Sequence, residues 1–434
     1  MKRIFKFIKK QPPSRLITLG FALVVLFGTF LLFLPISVKP GMEVGFIDAL
    51  FTSTSAVCVT GLISIDTADH FTAFGRAVVA ILIQVGGLGV TSVGVGFILA
   101  AGKRISIKGR LLVREALNVE SSKGIIQLIK TVLFMTLCFE FVGAVLSFLV
   151  FGQDYPPMKA LEISIFHSVA AFNNAGFDIL GGLQNLVSYQ SNVLLNLITS
   201  GLIIFGGLGF LVIIDMFKAR SFKNLCLHSK VVITTTAALL LIGTLLLKAT
   251  EKISWLGAFF QSVSARTAGF STYSIGEFSN AGLFTLAMLM FIGASPGSTG
   301  GGIKTSTFFV LLQSIKSLMT KRHQEAFHRS IPAEGSAKAY IITFLSLSVV
   351  CSGIFLLCIL EPGFSFIQVM FEVISAFGTV GLSTGITPEL GNLSKLVIVL
   401  IMFIGRLGVF TIASMWVNRP APNVRYIEES ITIG

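Results

Sequence analysis

Four short clusters in this 434-residue chain could bind a cation without any charged ligand. They are Val59-Thr60-Gly61, Asn174-Ala175-Gly176, Thr267-Ala268-Gly269 and Thr379-Val380-Gly381. Each closes a semi-apolar segment of about 11–14 residues, too short to cross a bilayer. A Phe stands ten residues before each glycine (Phe51, Phe166, Phe259, Phe371), and Leu62, Phe177, Phe270 or Leu382 follows it. A small residue (Ala56, Ala171, Ser264, Ala376) lies five before it. Carbonyls at a helix C-terminus carry a partial negative charge of about half an electron. A glycine beyond them takes backbone angles that other residues resist, which can turn carbonyls inward. Four such ends converging on one axis would form rings of backbone oxygen that replace the hydration shell of K⁺. A single glycine of this kind would be read as a helix cap. Four in register point to one shared site built from the backbone oxygens of those twelve residues.

The elements that must hold such a site are apolar. Hydrophobic residues make up 53% of the chain and charged residues 12%, with a mean hydropathy of +0.87. Soluble domains carry roughly 25% charge. So little charge excludes several water-soluble domains and excludes a disordered chain. Long apolar runs appear near 16–36, 73–101, 125–150, 192–217, 229–249, 281–319, 337–360 and 395–417. These predict eight spans, with only the sixth interrupted. The marker glycines lie 115, 93 and 112 residues apart, so the chain reads as four repeats of span, short re-entrant helix, glycine turn and span. The expected units are 1–102, 103–218, 219–330 and 331–434. Gly86-Gly-Leu-Gly89, Gly206-Gly-Leu-Gly209 and Gly405-Arg-Leu-Gly408 recur in the second spans of units one, two and four. The predicted fold class is an all-α polytopic membrane protein with four pseudo-fourfold units around one pore.

Charge placement sets the expected orientation. Of 33 Lys and Arg, 24 lie in the termini and the loops joining units, seven lie on the other side, and Lys304 and Arg406 fall within spans. By the positive-inside rule both termini are cytosolic and the short helices enter from outside. The net charge of +13 follows from this placement, so nucleic acid is not an expected partner. Asp48, Asp66, Asp69, Asp178, Glu251 and Glu372 fall on the outer side, where acids concentrate cations.

Other polar features stand out against the apolar background. In unit three the run Gly293-Ala294-Ser295-Pro296-Gly297-Ser298-Thr299-Gly300-Gly301-Gly302 is too polar to cross lipid as a helix, so it must line a cavity. It is no phosphate loop, because Ile303 separates glycine from Lys304 and no strand precedes it. Arg406 is a cation inside a span and hence a functional candidate. Lys304 is expected to snorkel to the cytosolic side. Arg266 reads as a scaffold bonded to the backbone of the third cluster and paired with Glu372. Five His are scattered, and five Cys read as small apolar fillers with no metal or disulfide pattern. Within the spans, Glu140, Lys304 and Arg406 have no spacing that suggests catalysis, and no enzyme is expected.

The clusters Thr60-Gly61-Leu62, Asn173-Asn174-Ala175-Gly176-Phe177, Arg266-Thr267-Ala268-Gly269-Phe270, Phe377-Gly378-Thr379-Val380-Gly381-Leu382 and Phe403-Ile404-Gly405-Arg406 resemble the Trk/Ktr/HKT superfamily of K⁺ transporters. The resemblance is to membrane subunits of the bacterial KtrB type and covers essentially the whole chain. It implies that the four glycines form a K⁺ selectivity filter, with Gly61 favouring K⁺ over Na⁺. It implies that 293–302 is an intramembrane gating loop, with Arg406 facing the pore beneath the filter. It implies K⁺ as the bound substrate, with Na⁺ as a second candidate, and no cofactor in this chain. It also implies a homodimer in the bacterial plasma membrane, gated by a cytosolic ring of nucleotide-binding RCK subunits. The basic loops Lys103–Arg114 and Lys218–Lys230 offer docking surfaces for such a ring or for membrane lipid. The tail Asn418–Gly434 is expected to dock on a neighbouring protomer. The rival class is an alternating-access cation carrier, which needs broken helices in two halves rather than a fourfold motif.

Overall fold

A computed structural model describes residues 11–100, 107–116, 124–321, 323–415 and 429. The N-terminal residues 1–10, residues 101–106 of the first basic loop and nearly all of the tail assigned to protomer docking lie outside the described residues. The described fold is α-helical, with one two-stranded hairpin pairing Glu325–Ala326 with Arg329–Ser330.

Four long helices open the units: Pro13–Phe33, Ile125–Asp154, Leu227–Thr250 and Ala333–Leu360. Each is long and apolar enough to cross a membrane. Their outer faces expose Leu23, Phe30, Phe134, Phe141, Leu241, Phe344 and Phe355. So much contiguous apolar surface is stable only against lipid. The chain is a multi-pass membrane protein.

The short helices are the core. They run Phe46–Val57, Pro157–Phe172, Trp255–Ser264 and Phe366–Gly378. Phe51, Phe166 and Phe371 are buried, as are Leu62, Phe177, Phe270 and Leu382 after the glycines, while Phe259 is half-buried. The first span of each unit meets its short helix at a glycine: Gly28, Gly143, Gly243 and Gly353. In three units a serine on the short helix donates to a span carbonyl one turn before that glycine. Ser53 Oγ donates to Val25 O at 2.7 Å, Ser168 Oγ to Glu140 O at 2.6 Å and Ser262 Oγ to Leu240 O at 3.0 Å. Unit four replaces the serine with Val373, which packs on Gly353.

The second spans depart from the continuous helices expected. Ala73–Leu88 and Val90–Gly96 meet at 99°, and Val193–Leu208 and Phe210–Ala219 meet at 97°. Asn392–Leu407 likewise breaks before Val409–Ser414. The hinges Gly89, Gly209 and Gly408 share one conformation, with φ/ψ of 83/129°, 93/141° and 83/135°. That region is essentially closed to residues with a Cβ. The last glycine of each Gly-x-Leu-Gly motif therefore ends one helix and starts another. In unit three, residues 292–304 fill the break between Asn280–Phe291 and Thr305–Thr320.

The units close into a ring. Each second span packs on the short helix of the next unit, and the fourth packs back on the first. Lys395 Nζ meets Asp48 Oδ1 at 2.8 Å between units four and one. Arg76 Nε meets Glu162 Oε1 at 2.8 Å between units one and two.

Candidate cation site

The four short helices end on one ring of glycines. Gly61, Gly176, Gly269 and Gly381 have φ of 89°, 66°, 76° and 93°. A Cβ on Gly61 would run into Ala175 O and Gly176 Cα. One on Gly176 would meet Ala268 O and Gly269 Cα, one on Gly269 would meet Val380 O, and one on Gly381 would meet Thr60 O and Gly61 Cα. The contacts run one-two-three-four-one and close. Only glycine fits at these four points, because both the space and the backbone angle exclude a side chain.

The residue two before each glycine is also left-handed: Val59 at φ 50°, Asn174 at 57°, Thr267 at 84° and Thr379 at 50°. The intervening Thr60, Ala175, Ala268 and Val380 are not. Alternating handedness turns successive carbonyls toward one side of a strand, whereas uniform handedness would spread them around it. No sequence pattern announced left-handed Val, Asn and Thr, and their strain is held by the short helices. Thr60 N donates to Ser55 O, Ala175 N to Ala170 O, Ala268 N to Ser264 O and Val380 N to Ser375 O. Ser55 and Ser375 hydroxyls also accept from Gly61 N and Gly381 N, both at 3.1 Å. All twelve cluster residues are thus brought together, eleven of them buried and Gly381 half-buried.

The second spans support the ring from behind. A Cβ at Gly86, Gly206 or Gly405 would overlap the carbonyl of Val57, Phe172 or Phe377 near the end of a short helix. The first glycine of each repeated motif therefore permits backbone-to-backbone contact.

The segment Gly293–Gly302 lies against the ring on the side of these helix ends. Ile292 and Ile303 bridge at its neck. Ser295 N and Thr299 N donate to Gly207 O and Gly206 O of unit two. Gly301 N donates to Thr379 Oγ1 of the fourth cluster at 2.9 Å. Gly300 has room for no Cβ against Thr267. Arg406 donates to Thr299 O in the loop and to Gly86 O and Gly87 O in unit one. One guanidinium thus ties unit four to the loop and to unit one.

Three polar residues sit differently from the sequence expectation. Lys304 does not snorkel; its Nζ donates to Gly300 O at 2.6 Å and Gly301 O at 3.3 Å. The loop curls back over its own cation, and its carbonyls take two of the ammonium's hydrogen bonds. Arg266 is buried but bonds neither the third cluster nor Glu372; its Nη1 donates to Thr236 O at 3.3 Å. Glu372 is taken by Ser383, Thr384 and Thr387 in the loop after the fourth glycine. Local hydroxyls satisfy that carboxylate, so no arginine is needed. Of the five cysteines only Cys58 is buried, and the other four are exposed rather than core fillers. Glu140, which the sequence left without a role, accepts from Asn173 Nδ2 at 3.0 Å beside the second cluster.

In the loops that follow the first and second glycines, Asp66 accepts from Leu183 N and Asp69 from Gly182 N, tying unit one to unit two. Asp178 stands near both. Burial first, and then their negative charge, push its carboxyl up to about 7.

Four re-entrant helices that end on one glycine ring, wrapped in lipid-facing spans, define a multi-pass membrane protein of pore-loop architecture. The chain belongs to the TrkH family of cation transport proteins, whose profile matches residues 26–232 and 226–424. It is 41% identical to the potassium/sodium uptake protein NtpJ of Enterococcus hirae over 98% of each chain. It is 39% identical to the Ktr system potassium uptake protein B of Bacillus subtilis, covering 100% of this chain and 99% of that one. The crystal structure of the potassium transporter TrkH from Vibrio parahaemolyticus shares the fold, with a TM-score of 0.71 at 21% identity over 92% of this chain and 85% of that chain. These are transport proteins, and this chain is a Trk/Ktr-type membrane subunit rather than an enzyme.

Proposed function

We propose that the protein takes up K⁺ across the bacterial plasma membrane through a gated, channel-like pore. The observation that carries this reading is the closed ring of Gly61, Gly176, Gly269 and Gly381 with left-handed residues two positions earlier. Backbone oxygens of Val59–Gly61, 174–176, 267–269 and 379–381 replace the hydration shell, and K⁺ is the substrate. No cofactor is needed, because dehydration and flow down the electrochemical gradient involve no bond making. The loop 293–302 is the gate, held shut by Arg406. The four units divide at 1–102, 103–218, 219–330 and 331–434, with both termini cytosolic. The working assembly is a homodimer in lipid with a cytosolic nucleotide-binding RCK ring. The name of the Bacillus subtilis relative, protein B of a system, is in keeping with a further subunit. An alternating-access carrier is disfavoured because the helix breaks recur in all four units instead of two halves.

The test is ion flux into liposomes holding the purified protein, with K⁺, Rb⁺ and Na⁺ in turn. The expected order is K⁺ and Rb⁺ well above Na⁺. Equal Na⁺ flux, or K⁺ flux that requires Na⁺ in fixed stoichiometry, would overturn the filter reading. The Na⁺ arm matters because the Enterococcus hirae relative is named for both ions.

A further inference from the structure

The four glycine carbonyls are not equivalent. Among the described residues, only Gly176 O accepts a hydrogen bond, from Asn185 Nδ2 at 3.2 Å. Asn185 lies nine residues beyond that glycine in the loop after the second cluster. Its amide orientation is fixed by its other end. Asn185 Oδ1 accepts from Leu186 N at 2.9 Å and from Ser271 N at 3.1 Å, so the amide NH₂ must face Gly176 O. Ser271 stands two residues past the third glycine, Gly269. One side chain therefore clamps the outer ends of clusters two and three. Asn185 is itself left-handed, at φ 51°, a conformation that Asn tolerates better than most residues. Backbone and side chain both call for Asn here.

We propose that Asn185 is a positioning residue for ion selection: it holds the Gly176 carbonyl at a fixed distance from the axis. The inference rests on the proposed carbonyl ring. Na⁺ is smaller than K⁺ and is favoured when ring oxygens can move inward to meet it. An oxygen held back by a donor resists that collapse, while the other three glycine oxygens stay free to adjust to K⁺. The selectivity of a carbonyl ring depends on its stiffness and field strength, and Asn185 sets both on one side.

Two variants separate the donor from the rest. Asn185→Asp keeps the acceptor for Ser271 N and Leu186 N, and keeps the tolerance for left-handed backbone, but loses the NH₂. Its added charge also raises the local field, which favours the smaller ion, so an uncharged variant is needed beside it. Asn185→Gly keeps the backbone angle and adds no charge, and it too removes the donor. Loss of one hydrogen bond predicts a K⁺/Na⁺ flux ratio reduced about 3- to 10-fold in both variants, with K⁺ Vmax within about twofold of wild type. Gly176→Ser is measured alongside. A wild-type ratio in both Asn185 variants, with a reduced ratio in Gly176→Ser, would overturn the inference while the ring stands. A wild-type ratio in all three would overturn the ring reading and the inference with it. If only one Asn185 variant folds, its ratio decides by the same criterion.

Discussion

At the scale of single residues, the glycine ring leaves no tolerance. The Cβ of Gly61→Ser would lie on the Ala175 carbonyl, at a φ of 89° that serine resists. The variant should lose K⁺ over Na⁺ discrimination in the liposome assay, and it should melt lower as well, because the neighbouring strand must move. A selectivity ratio unchanged from wild type would remove Gly61 from the filter. Asp178 gives a pH signature. Its carboxyl, ordinarily near 3.8, is raised to about 7 in the folded protein. Between about pH 4 and 7 the folded chain keeps a proton that the unfolded chain has released, so this group makes stability fall as pH rises through that window and stay level above it. Asp178→Asn should flatten that fall and raise Tm at pH 8 by about 1–3 °C. Melting curves at pH 5 and pH 8 check it, and an equal Tm gap between variant and wild type at both pH values would refute it.

At the scale of elements, the second spans work as broken helices. Gly408 has no atom within 4 Å of an added Cβ, so Gly408→Ala tests backbone angle without crowding. Forcing alanine to φ 83°, ψ 135° should cost about 1–3 kcal/mol, read as a lower Tm. Gly408→Asn should be no better, since asparagine tolerates left-handed helical ψ but not 135°. Full recovery by Asn would mean that the hinge is an ordinary left-handed cap. The loop between the halves of the third unit offers the functional counterpart. Arg406→Ala removes the charged donor from Thr299 O, Gly86 O and Gly87 O. Such a bond contributes about 1.5–3 kcal/mol. Partner-free K⁺ flux should rise roughly 10- to 150-fold, with K⁺/Na⁺ selectivity changed far less. Deleting residues 297–302 should act in the same direction. Wild-type flux in both, from protein that still elutes as a single species, would show that the loop is no barrier.

At the scale of the whole molecule, closure of the ring depends on contacts between the first and last units. The Lys395–Asp48 pair is mostly shielded, with side-chain exposures of 9% and 21%. Removing one partner leaves the other charge poorly solvated. Lys395→Met alone should cost about 1–3 kcal/mol, and adding Asp48→Leu should recover most of it. Thermal unfolding in detergent reads both. No recovery in the double variant would mean that each residue is held by something other than its partner.

Much of this was written in the chain itself. The scarcity of charge forced a membrane fold, because 12% charged residues cannot cover 434 residues in water. Four copies of Phe, small residue and glycine at one spacing gave the repeat, since local helix length and a glycine stop are sequence properties. The Arg406 anomaly was legible because a cation in an apolar run has few explanations. What the chain could not state is what depends on distant neighbours. The left-handed Val59, Asn174, Thr267 and Thr379 exist because helix ends and adjoining strands hold them there, against their own preference. The hinges at Gly89, Gly209 and Gly408 were visible as glycines, but an apolar helix with a glycine in it can equally run straight; packing against the next unit decided otherwise. Glu372 chose nearby hydroxyls over Arg266, and Asn185 reached from unit two to Ser271 N of unit three, which turns its amide toward the Gly176 carbonyl. Periodicity fixes which residues share a helix face, while partners far apart in sequence are set only when the ring closes.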